Sequence, residues 1–345
     1  MAQALLSHYD LHARDLPWRG QRDTYRIWVA EIMLQQTGVK SVIPYFQNFL
    51  ARFPDLPSLA IAEVEEVLAC WQGLGYYRRA VHLHAAARLV MQHGDGRLPE
   101  TLAGLLALPG IGASTAGAIL AIGSGQRVPI LDGNVVRVLS RVLAMEEPAD
   151  SSAGRARLWE MADRLTPADR PGDYAQAIMD LGARICRPRN PECPACPWSS
   201  WCRACQSGTP MAHPRLMPKR TRPEKYQFTL LVVREGSVLL TPRPARGLLG
   251  GMWEPPGSPP EETWSAPDAQ TLVHWIKNRH GMEVSSPTPL APVHHAFTHF
   301  RLTVFPFLSD WLAHEPSGEA RWVSLPVDAA LPVSTLHRKV LARMG

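Results

Sequence analysis

Two acidic residues have the surroundings that acid–base chemistry requires. Glu31 lies in IWVAEIMLQQT among mostly apolar side chains, and apolar surroundings raise the pKa of a carboxyl so that it can act as a general acid. Asp132 comes directly before the helix-like run GNVVRVLSRVL, where the N-terminus of a helix favours the carboxylate anion. One carboxyl held neutral and one held charged form the pair that cleaves a glycosidic bond through an oxocarbenium-like state.

Each acid also has a simpler explanation. Glu31 could be an exposed residue on a helix surface, and Asp132 could serve as a helix N-cap, a common use of aspartate that is compatible with a catalytic role. The pair does not distinguish an N-glycosidic from an O-glycosidic bond. We expect the two side chains to face one cleft although they are far apart in the chain.

Cysteines form the most specific pattern in the sequence. Cys186, Cys193, Cys196 and Cys202 are separated by six, two and five residues, and Cys205 follows closely. In an intracellular protein such a cluster indicates a metal site rather than disulfides. Four thiolates can hold zinc or an iron–sulfur cluster. Cys205 also forms a C-x-x-C pair with Cys202, so the identity of the fourth ligand stays open.

A glycine-containing turn between two helical stretches supplies a second kind of site. The segment LLALPGIGASTAGA (105–118) contains Gly110 and Gly112, which permit positive φ, and the next helix begins with exposed N–H groups that can hold a phosphate. Most such turns only connect helices. With its flanking Leu-Pro and Thr-Ala pairs, this one resembles the helix-hairpin-helix loop that binds a DNA backbone.

The elements that must position these residues divide the chain in two. Apolar residues recur at helical spacing up to about residue 185, and the predicted helices include 39–53, 114–123, 134–144 and 173–185. Short β-favouring runs begin near residue 226, at YQFTLLVV (226–233), SVLLTP (237–242) and FRLTVFPFL (300–308), and helices are expected at 268–280 and 334–343. We therefore predict an all-helical domain at 1–205, with the hairpin at 101–123 and the cysteine loop at 186–202. A basic linker at 206–225 and an α+β domain at 226–345 complete the chain.

Composition narrows the class of protein. The chain has 345 residues, 46% hydrophobic and 19% charged, with a net charge of +5, which is typical of a folded protein and excludes a mostly disordered one. Nine basic and two acidic residues fall in 181–225. This basic segment could contact a polyanion, or it could be a solvent-exposed linker. No apolar run is long enough to span a membrane and no signal peptide is evident, so we expect a cytoplasmic protein. We also expect it to be a monomer.

Several motifs together resemble one family. The chain resembles the MutY family of adenine DNA glycosylases, which remove adenine mispaired with 8-oxoguanine. The motifs that carry the resemblance span the helical half, in addition to the cysteines: LPWR (16–19), AEIMLQQT (30–37), WQGLGYYRRA (71–80), LPGIGASTAGAI (108–119), PILDGNVVRV (129–138) and QAIMDLGARIC (176–186).

The resemblance implies a fold, a cofactor and catalytic roles. The fold is a helix-hairpin-helix glycosylase domain, made of a six-helix barrel and an iron–sulfur module, followed by a Nudix-like α+β domain. Glu31 is expected to protonate adenine N7, Asp132 to stabilise or capture the deoxyribose cation, and Asn134 to support Asp132 and the attacking water. The cofactor is expected to be a [4Fe–4S] cluster, with ligands Cys186, Cys193, Cys196 and Cys202.

Further residues match family positions that contact double-stranded DNA containing A:8-oxoguanine or A:G mispairs. The adenine must leave the duplex before the enzyme can reach it. For Trp18 and Leu34, ordinary core packing is the alternative role. The residues expected to line the adenine pocket are Trp18, Arg19, Leu34 and Gln176. Those expected to contact or wedge the DNA are Gln36, Tyr76, Gly110, Gly112, Ser114, Arg187 and Arg189. Those expected to recognise 8-oxoguanine are Phe297, Thr298 and His299, whose alternative is an edge-strand turn with aromatic packing.

Three other functions remain to be weighed. An endonuclease III-like lyase needs a lysine where this chain has Ser114, and Lys40 is the only lysine before the linker. A Nudix pyrophosphatase needs a glutamate-rich helix, which EETWSAPDAQTLVHWIKNRHG (261–281) does not provide. A DNA-binding adaptor would leave the pairing of Glu31 with Asp132 unexplained. The sequence therefore favours a monofunctional glycosylase.

Overall fold

A computed structural model describes residues 1–93, 96–218, 221–244, 247–328 and 331–344. The chain forms two compact units, one of Met1–Ile61 with His82–Lys219 and the other of Ala62–Val81 with Arg220–Gly345. Lys219 and Arg220, which belong to the predicted linker, lie outside the described residues. No helix in these ranges is long and apolar enough to cross a membrane.

The first unit is helical, as the spacing of apolar residues predicts. The helices before the sheet are α1 (Ala2–His12), α2 (Thr24–Leu34), α3 (Val39–Arg52), α4 (Leu56–Ile61), α5 (Val64–Trp71), α6 (Arg78–His93), α7 (Leu102–Leu106), α8 (Ala113–Ala118), α9 (Gly133–Leu143), α10 (Ser152–Leu165), α11 (Pro171–Asp180) and α12 (Arg203–Gln206). All of them belong to the first unit except α5 and the start of α6, which belong to the second. Short 3₁₀ turns cover Cys193–Ala195, Ser199–Trp201 and Pro210–Ala212.

Two helices of this unit end in π-helical turns, which the sequence does not reveal. The helix predicted at 114–123 is α8 followed by a π turn at Ile119–Gly123, and the helix predicted at 173–185 is α11 followed by a π turn at Leu181–Ile185. Glycines let the chain pack closely there: a Cβ on Gly172 would lie 2.6 Å from the Ala121 carbonyl oxygen, and one on Gly182 would lie 2.6 Å from Asn134 Cβ. Such turns are frequent at functional sites.

Part of the predicted linker is attached to the helical unit. The Ala149 amide donates to the Arg215 carbonyl at 2.8 Å, and the Met217 amide donates to Asp150 at 2.8 Å. The imidazole of His213 is buried and lies 2.9 Å from the Met145 carbonyl oxygen. These bonds hold residues 213–217 against the segment that follows α9.

The second unit contains a mixed sheet between two helices. Its strands are β1 (Glu224–Arg234), β2 (Ser237–Pro242), β3 (Trp253–Glu254), β4 (Glu283–Val284), β5 (Thr288–Pro289), β6 (Val293–Ala296), β7 (Arg301–Ala313) and β8 (Arg321–Ser324). In addition to α5 and the start of α6, this unit contains the two helices that cover the sheet, α13 (Ala269–His280) and α14 (Thr335–Leu341). The sheet order is β3-β2-β1-β7-β4, and β1 and β7 run parallel.

Alternation along β1 explains how both faces of the sheet are covered. Leu230 and Val232 pack in the apolar cluster that includes Leu272 and Ile276 of α13. Leu231 points the other way, into the cluster that includes Leu336 and Val340 of α14. Because side chains alternate along a strand, one continuous apolar run serves two cores. The sequence predicted β1, β2, β7 and both helices, and missed the five shorter strands.

Candidate active site

Glu31 lies in α2 at the wall of an open cleft. The helix is N-capped by Asp23, whose side chain accepts from the Arg26 amide, and Trp28, Val29 and Ile32 beside Glu31 are almost fully buried. The cleft encloses about 420 Å³, counting the space continuous with solvent. Its lining residues are Arg14, Leu16, Trp18, Arg19, Ile27, Glu31, Leu34, Val39, Ile122, Gln176 and Met179. The structure therefore brings together all four residues predicted to line the adenine pocket, with Glu31 among them.

Burial sets the protonation of Glu31. It raises the pKa of this carboxyl to about 7, helped by the negative charge of Asp132 and opposed by the cation of Arg19. Desolvation disfavours a charged carboxylate, and a carboxyl that titrates near neutral pH is suited to donate a proton. The apolar flanks of Glu31 thus have the electrostatic effect that the sequence suggests.

Asp132 does not line the cleft, but it is close enough for its charge to act on Glu31. It is the N-cap of α9, where it accepts from the Val135 amide at 2.8 Å and from Asn134 Nδ2 at 3.1 Å. Burial raises its pKa, and these donors together with Arg137 oppose the rise. The donors at the helix N-terminus favour the anion, as expected, but desolvation of the carboxyl outweighs them in the net direction of the pKa.

The two carboxyls nevertheless differ in what they contact. Asp132 accepts hydrogen bonds that favour its anion, from two backbone amides and from the Asn134 side chain. The cation of Arg19 is what favours the anion of Glu31. Desolvation thus favours the protonated form of Glu31, whereas hydrogen bonds from the protein favour the anion of Asp132.

A chain of hydrogen bonds runs from Asp132 to the cysteine loop. Asn134 donates to Asp132 and accepts from Arg137 Nη2 at 2.9 Å. Arg137 also donates to the carbonyl oxygens of Gly182, at 2.7 Å, and Cys186, at 2.8 Å. Sequence reasoning missed Arg137, although its position three residues after Asn134 places both on one face of α9.

The cleft has a second fixed charge network. Arg19 donates to both carboxylate oxygens of Asp180, at 2.8 and 2.9 Å, and Arg14 pairs with the same carboxylate. Arg19 is nine-tenths buried, and its Nε has no hydrogen-bond partner in the described part of the chain. Trp18 packs edge-on against Phe46 with ring centroids 5.3 Å apart. Arg14 and Asp180 were not predicted as site residues, since nothing in their local sequence marks them.

The glycine turn joins α7 to α8 as the hairpin motif requires. Gly110 has φ of +80°, and a Cβ there would lie 2.9 Å from His82 Cβ, so this position needs glycine. Gly112 is the N-cap of α8 and faces open space. Ser114 Oγ accepts from the Leu131 amide at 3.0 Å, so the hairpin is tied to the segment that carries Asp132.

The residues predicted to contact DNA at other places are exposed to different degrees. Gln36 and Tyr76 are exposed, and both have positive φ, +57° and +51°; strained backbone of this kind is concentrated at functional sites. Arg189 is exposed, whereas Arg187 pairs with Glu192 at 2.8 Å. We find Arg79 over the rings of both Tyr76 and Trp71, each 5.4 Å from the centroid.

Five cysteines line one cavity. Cys186, Cys193, Cys196, Cys202 and Cys205 all border it, and burial together with the neighbouring thiols raises the pKa of Cys193, Cys196 and Cys202. Within the described ranges, no group of three or more His, Cys, Asp or Glu side chains is arranged to hold a metal ion.

A buried arginine stands beside this cavity. Arg141 donates to Cys186 Sγ at 3.3 Å and to the carbonyl oxygens of Arg187, Pro188 and His213. In the part of the chain that the structure covers, it forms no ion pair with a carboxylate. A buried cation needs compensating charge, which anionic sulfur ligands would supply.

In the second unit, the segment predicted to recognise 8-oxoguanine is the turn between β6 and β7. The Phe297 amide donates to the Phe300 carbonyl at 2.9 Å, and Thr298 and His299 are exposed at the tip. Phe297 contacts His295 and Phe300, with ring centroids 4.6 and 4.9 Å apart. The structure thus has the turn with aromatic packing, and its two exposed polar side chains remain available for contacts.

Known proteins resemble both halves of the chain. Residues 29–164 match the model of the HhH-GPD superfamily of base excision DNA repair proteins, and residues 228–343 match the NUDIX domain. The adenine DNA glycosylase of Rattus norvegicus is 35% identical over 97% of this chain and 76% of its own length, and that of Homo sapiens is 35% identical over 98% and 72%.

Solved structures resemble the helical half. A thermostable thymine-DNA glycosylase aligns with a TM-score of 0.55 and 29% identity, covering 60% of this chain and 95% of its own. Endonuclease III bound covalently to DNA aligns with a TM-score of 0.52 and 18% identity, covering 60% and 94%. The second likeness concerns the fold.

Proposed function

The chain belongs to the adenine DNA glycosylases of base excision repair, and from that premise we propose that it hydrolyses the N-glycosidic bond of adenine paired with 8-oxoguanine or guanine. In this proposal Glu31 is the general acid, Asp132 stabilises or captures the deoxyribose cation, and the enzyme acts as a monomer. The observation that carries it is the coupling of two unlike carboxyls: a desolvated Glu31 with a pKa of about 7 and an Asp132 held by three donors.

The proposed reaction uses this difference. Glu31 gives its proton to adenine N7, which makes the base a better leaving group as the bond to the sugar breaks. Positive charge then develops on the deoxyribose, and the Asp132 carboxylate stabilises it electrostatically or by bonding to it. Asn134 holds Asp132 in place through the 3.1 Å hydrogen bond and can orient the attacking water.

The cleft beside Glu31 has the features of a base pocket. Trp18 and Leu34 offer apolar surface, and Gln176 and Arg19 offer polar groups. The unpartnered Nε–H of Arg19 supplies a donor for which a bound base could provide the acceptor. We propose that Gln36 and Tyr76 act on the duplex while the adenine is out of the stack, since their exposure and strained backbone suit a wedge.

A [4Fe–4S] cluster is the cofactor that we propose for the cysteine cavity, with Cys186, Cys193, Cys196 and Cys202 as ligands. The cavity offers thiolate sulfur as its ligand, which can hold either zinc or an iron–sulfur cluster, and the cluster is proposed because the cysteine spacing resembles that of the glycosylases that carry one. The buried cation of Arg141 favours an anionic group at this place. Such a cluster would anchor both ends of the loop that carries Arg187 and Arg189, which could then contact phosphates with little loss of freedom.

The Nudix-like domain is proposed to recognise the partner base rather than to hydrolyse nucleotides. Helix α13 contains no acidic residue, so it lacks the carboxylates with which a metal-dependent pyrophosphatase would bind its ion. Adenine is a normal base, and an enzyme that excises it must read the opposite base to spare A·T pairs. The hydroxyl of Thr298, the imidazole of His299 and the ring of Phe297 are groups that can bond to or stack on such a base.

A duplex assay tests the proposal. Adenine release should be fastest opposite 8-oxoguanine, slower opposite guanine and negligible opposite thymine, measured in single turnovers with matched sequences. Equal rates opposite all three bases would contradict the proposed recognition. Release of another base, with none of adenine, would contradict the proposed substrate.

A second assay separates the proposal from a lyase. Ser114 is engaged by the Leu131 amide and offers no amine, so the product should be an intact strand with an abasic site. Borohydride should trap little covalent complex, and any that forms should disappear in Lys40→Ala if that exposed lysine is responsible. Strong trapping that survives this substitution would indicate another amine and a bifunctional enzyme.

A further inference from the structure

Arg79 lies in the first turn of α6, three residues after Tyr76 in the chain. Its guanidinium is 5.4 Å from the centroid of the Tyr76 ring and 5.4 Å from that of Trp71. Trp71 is fully buried, whereas half of Tyr76 is exposed. A cation within about 6 Å of a ring centroid is attracted to the ring. Arg79 therefore joins the exposed ring that we propose as a wedge to a buried ring.

Two side chains also hold the backbone directly before Tyr76. The Gly75 carbonyl oxygen accepts from Arg79 Nη2 at 3.1 Å and from Trp71 Nε1 at 3.2 Å. The Arg79 amide donates to the Tyr76 carbonyl at 2.8 Å. Tyr76 has a φ of +51°, which a residue with a bulky side chain rarely adopts. These bonds hold the turn in a conformation that is unfavourable for Tyr76 by itself.

Water solvates the charge of Arg79 only in part. Burial lowers its pKa to about 10, and Tyr76 opposes this change, so the guanidinium is still protonated at neutral pH. Cation–π contacts are stronger where the cation is desolvated. The two rings therefore replace part of the solvation that Arg79 loses on burial.

We propose that Arg79 is a positioning residue that fixes the Tyr76 ring in the direction in which it enters the base stack. This inference rests on the wedge role proposed for Tyr76. A tyrosine that rotated freely in the unbound protein would lose that freedom as it entered the stack, and ordering a side chain costs free energy. A ring held beforehand avoids much of this cost. Arg79 acts through Tyr76 and not through a phosphate contact of its own.

A double-mutant cycle tests this role. Single-turnover release of adenine opposite 8-oxoguanine is measured for the full-length wild type, Arg79→Met, Tyr76→Ala and the double variant. Methionine keeps an apolar stem and removes the cation and the donor to Gly75. Arg79→Met should be slower by about threefold to thirtyfold, the range for one cation–π contact, and it should cost nothing further once Tyr76 is alanine. An equal loss in both backgrounds would overturn the proposal.

Arg88→Met is the matched control, because Arg88 is an exposed cation on the same helix. It should release adenine at the wild-type rate, and a loss as large as that of Arg79→Met would overturn the proposal. Tyr76→Ala with the wild-type rate would instead refute the wedge itself, so the two failures are distinguishable.

A fluorescence readout separates extrusion of the base from a general loss of structure. Glu31→Gln, which should bind DNA without excision, is saturated with a duplex that carries 2-aminopurine beside the mispaired adenine. The fluorescence rises when the adenine leaves the stack. Addition of Arg79→Met should reduce this rise several-fold, and addition of Arg88→Met should leave it unchanged. An equal rise in both would overturn the proposal.

Arg79→Lys replaces the methionine variant if that protein proves insoluble. An ammonium lacks the planar fork that stacks on a ring, so Arg79→Lys should also be slower than the wild type, and only while Tyr76 is present. A wild-type rate, or a deficit that persists in the Tyr76→Ala background, would overturn the proposal.

Discussion

Around Glu31, ion pairs and hydrogen bonds hold the side chains in place, whereas aromatic rings support the turn at 297–300 and leave its two polar residues exposed. The first region is built before any substrate arrives, and a preorganised, desolvated site is what stabilises charge as it develops. The second presents groups that gain their contacts on binding. Changes in the first region should therefore alter the rate of excision, and changes in the second should alter the choice of partner base.

The largest effect is expected from Glu31→Gln. Glutamine has nearly the same shape and cannot act as the acid, so excision should fall by the ~10²–10⁴-fold that general acid catalysis contributes, or more. DNA affinity should stay close to that of the wild type, measured by gel shift alongside single-turnover excision.

Glu160→Gln on α10 is the matched control, because that side chain is largely exposed and pairs weakly with Arg164. It should excise adenine at the wild-type rate. Substantial adenine release by Glu31→Gln would exclude Glu31 as the acid.

The second largest effect is expected from Arg137→Met. This change removes the donors that join Asn134 to Gly182 and Cys186, and each buried acceptor left without a partner costs ~1–3 kcal/mol. We expect excision to fall by about tenfold to a hundredfold, with the iron content of the proposed cluster little changed.

Arg127→Met tests whether the loss is specific, since Arg127 pairs with Asp163 at the surface. It should leave the rate unchanged. An Arg137→Met enzyme as fast as this control would show that the hydrogen-bond chain does not support Asp132.

These two variants illustrate what the sequence can predict. Glu31 could be identified as a candidate acid because a carboxyl among Trp28, Val29 and Ile32 is unusual in itself. Its raised pKa follows from burial. Arg137 could not be identified, because its role depends on Gly182 and Cys186, which are distant in the chain. For the same reason the net direction of the Asp132 pKa could not be predicted: the N-cap is a local feature, but the burial that outweighs it comes from tertiary packing.

The fold shows the same division. Long periodic segments such as α3 and α9, and the apolar run of β1, could be predicted from spacing. The two-residue strands β3, β4 and β5 contain too few residues to show any alternation. At the π turns after α8 and α11 the chain packs closely, with Gly172 against Ala121 and Gly182 against Asn134, and no local pattern reveals these contacts.

The third prediction concerns the pH dependence of the rate. In the proposed mechanism Glu31 acts in its protonated form, and its pKa is about 7, so excision should decrease above that pH by up to about tenfold per unit. The same mechanism needs Asp132 in its ionised form, and because burial raises its pKa, the acid limb should lie above the ordinary range of aspartate. Single-turnover rates across pH measure both limbs.

Arg19→Met should displace the alkaline limb. The Arg19 cation lowers the pKa of Glu31, so its removal raises that pKa and moves the limb to higher pH, whatever happens to the maximal rate. Arg127→Met should leave the limb in place. An unmoved limb in Arg19→Met would mean that the limb does not report Glu31.

The smallest effects are expected at Thr298, where the turn rather than the cleft is changed. Its side chain is exposed at the tip, so Thr298→Val keeps the shape and removes the hydroxyl without disturbing a core. If that hydroxyl bonds to the partner base, the preference for 8-oxoguanine over guanine should shrink by ~0.5–1.5 kcal/mol, the net value of one hydrogen bond.

Thr298→Ser keeps the hydroxyl and should change the preference by less than about 0.5 kcal/mol. Excision opposite guanine should stay the same in both variants, because the cleft beside Glu31 is untouched. Equal preferences in the valine and serine variants would show that the hydroxyl takes no part in recognition, and an equal slowing opposite both bases would show that the turn acts on the rate.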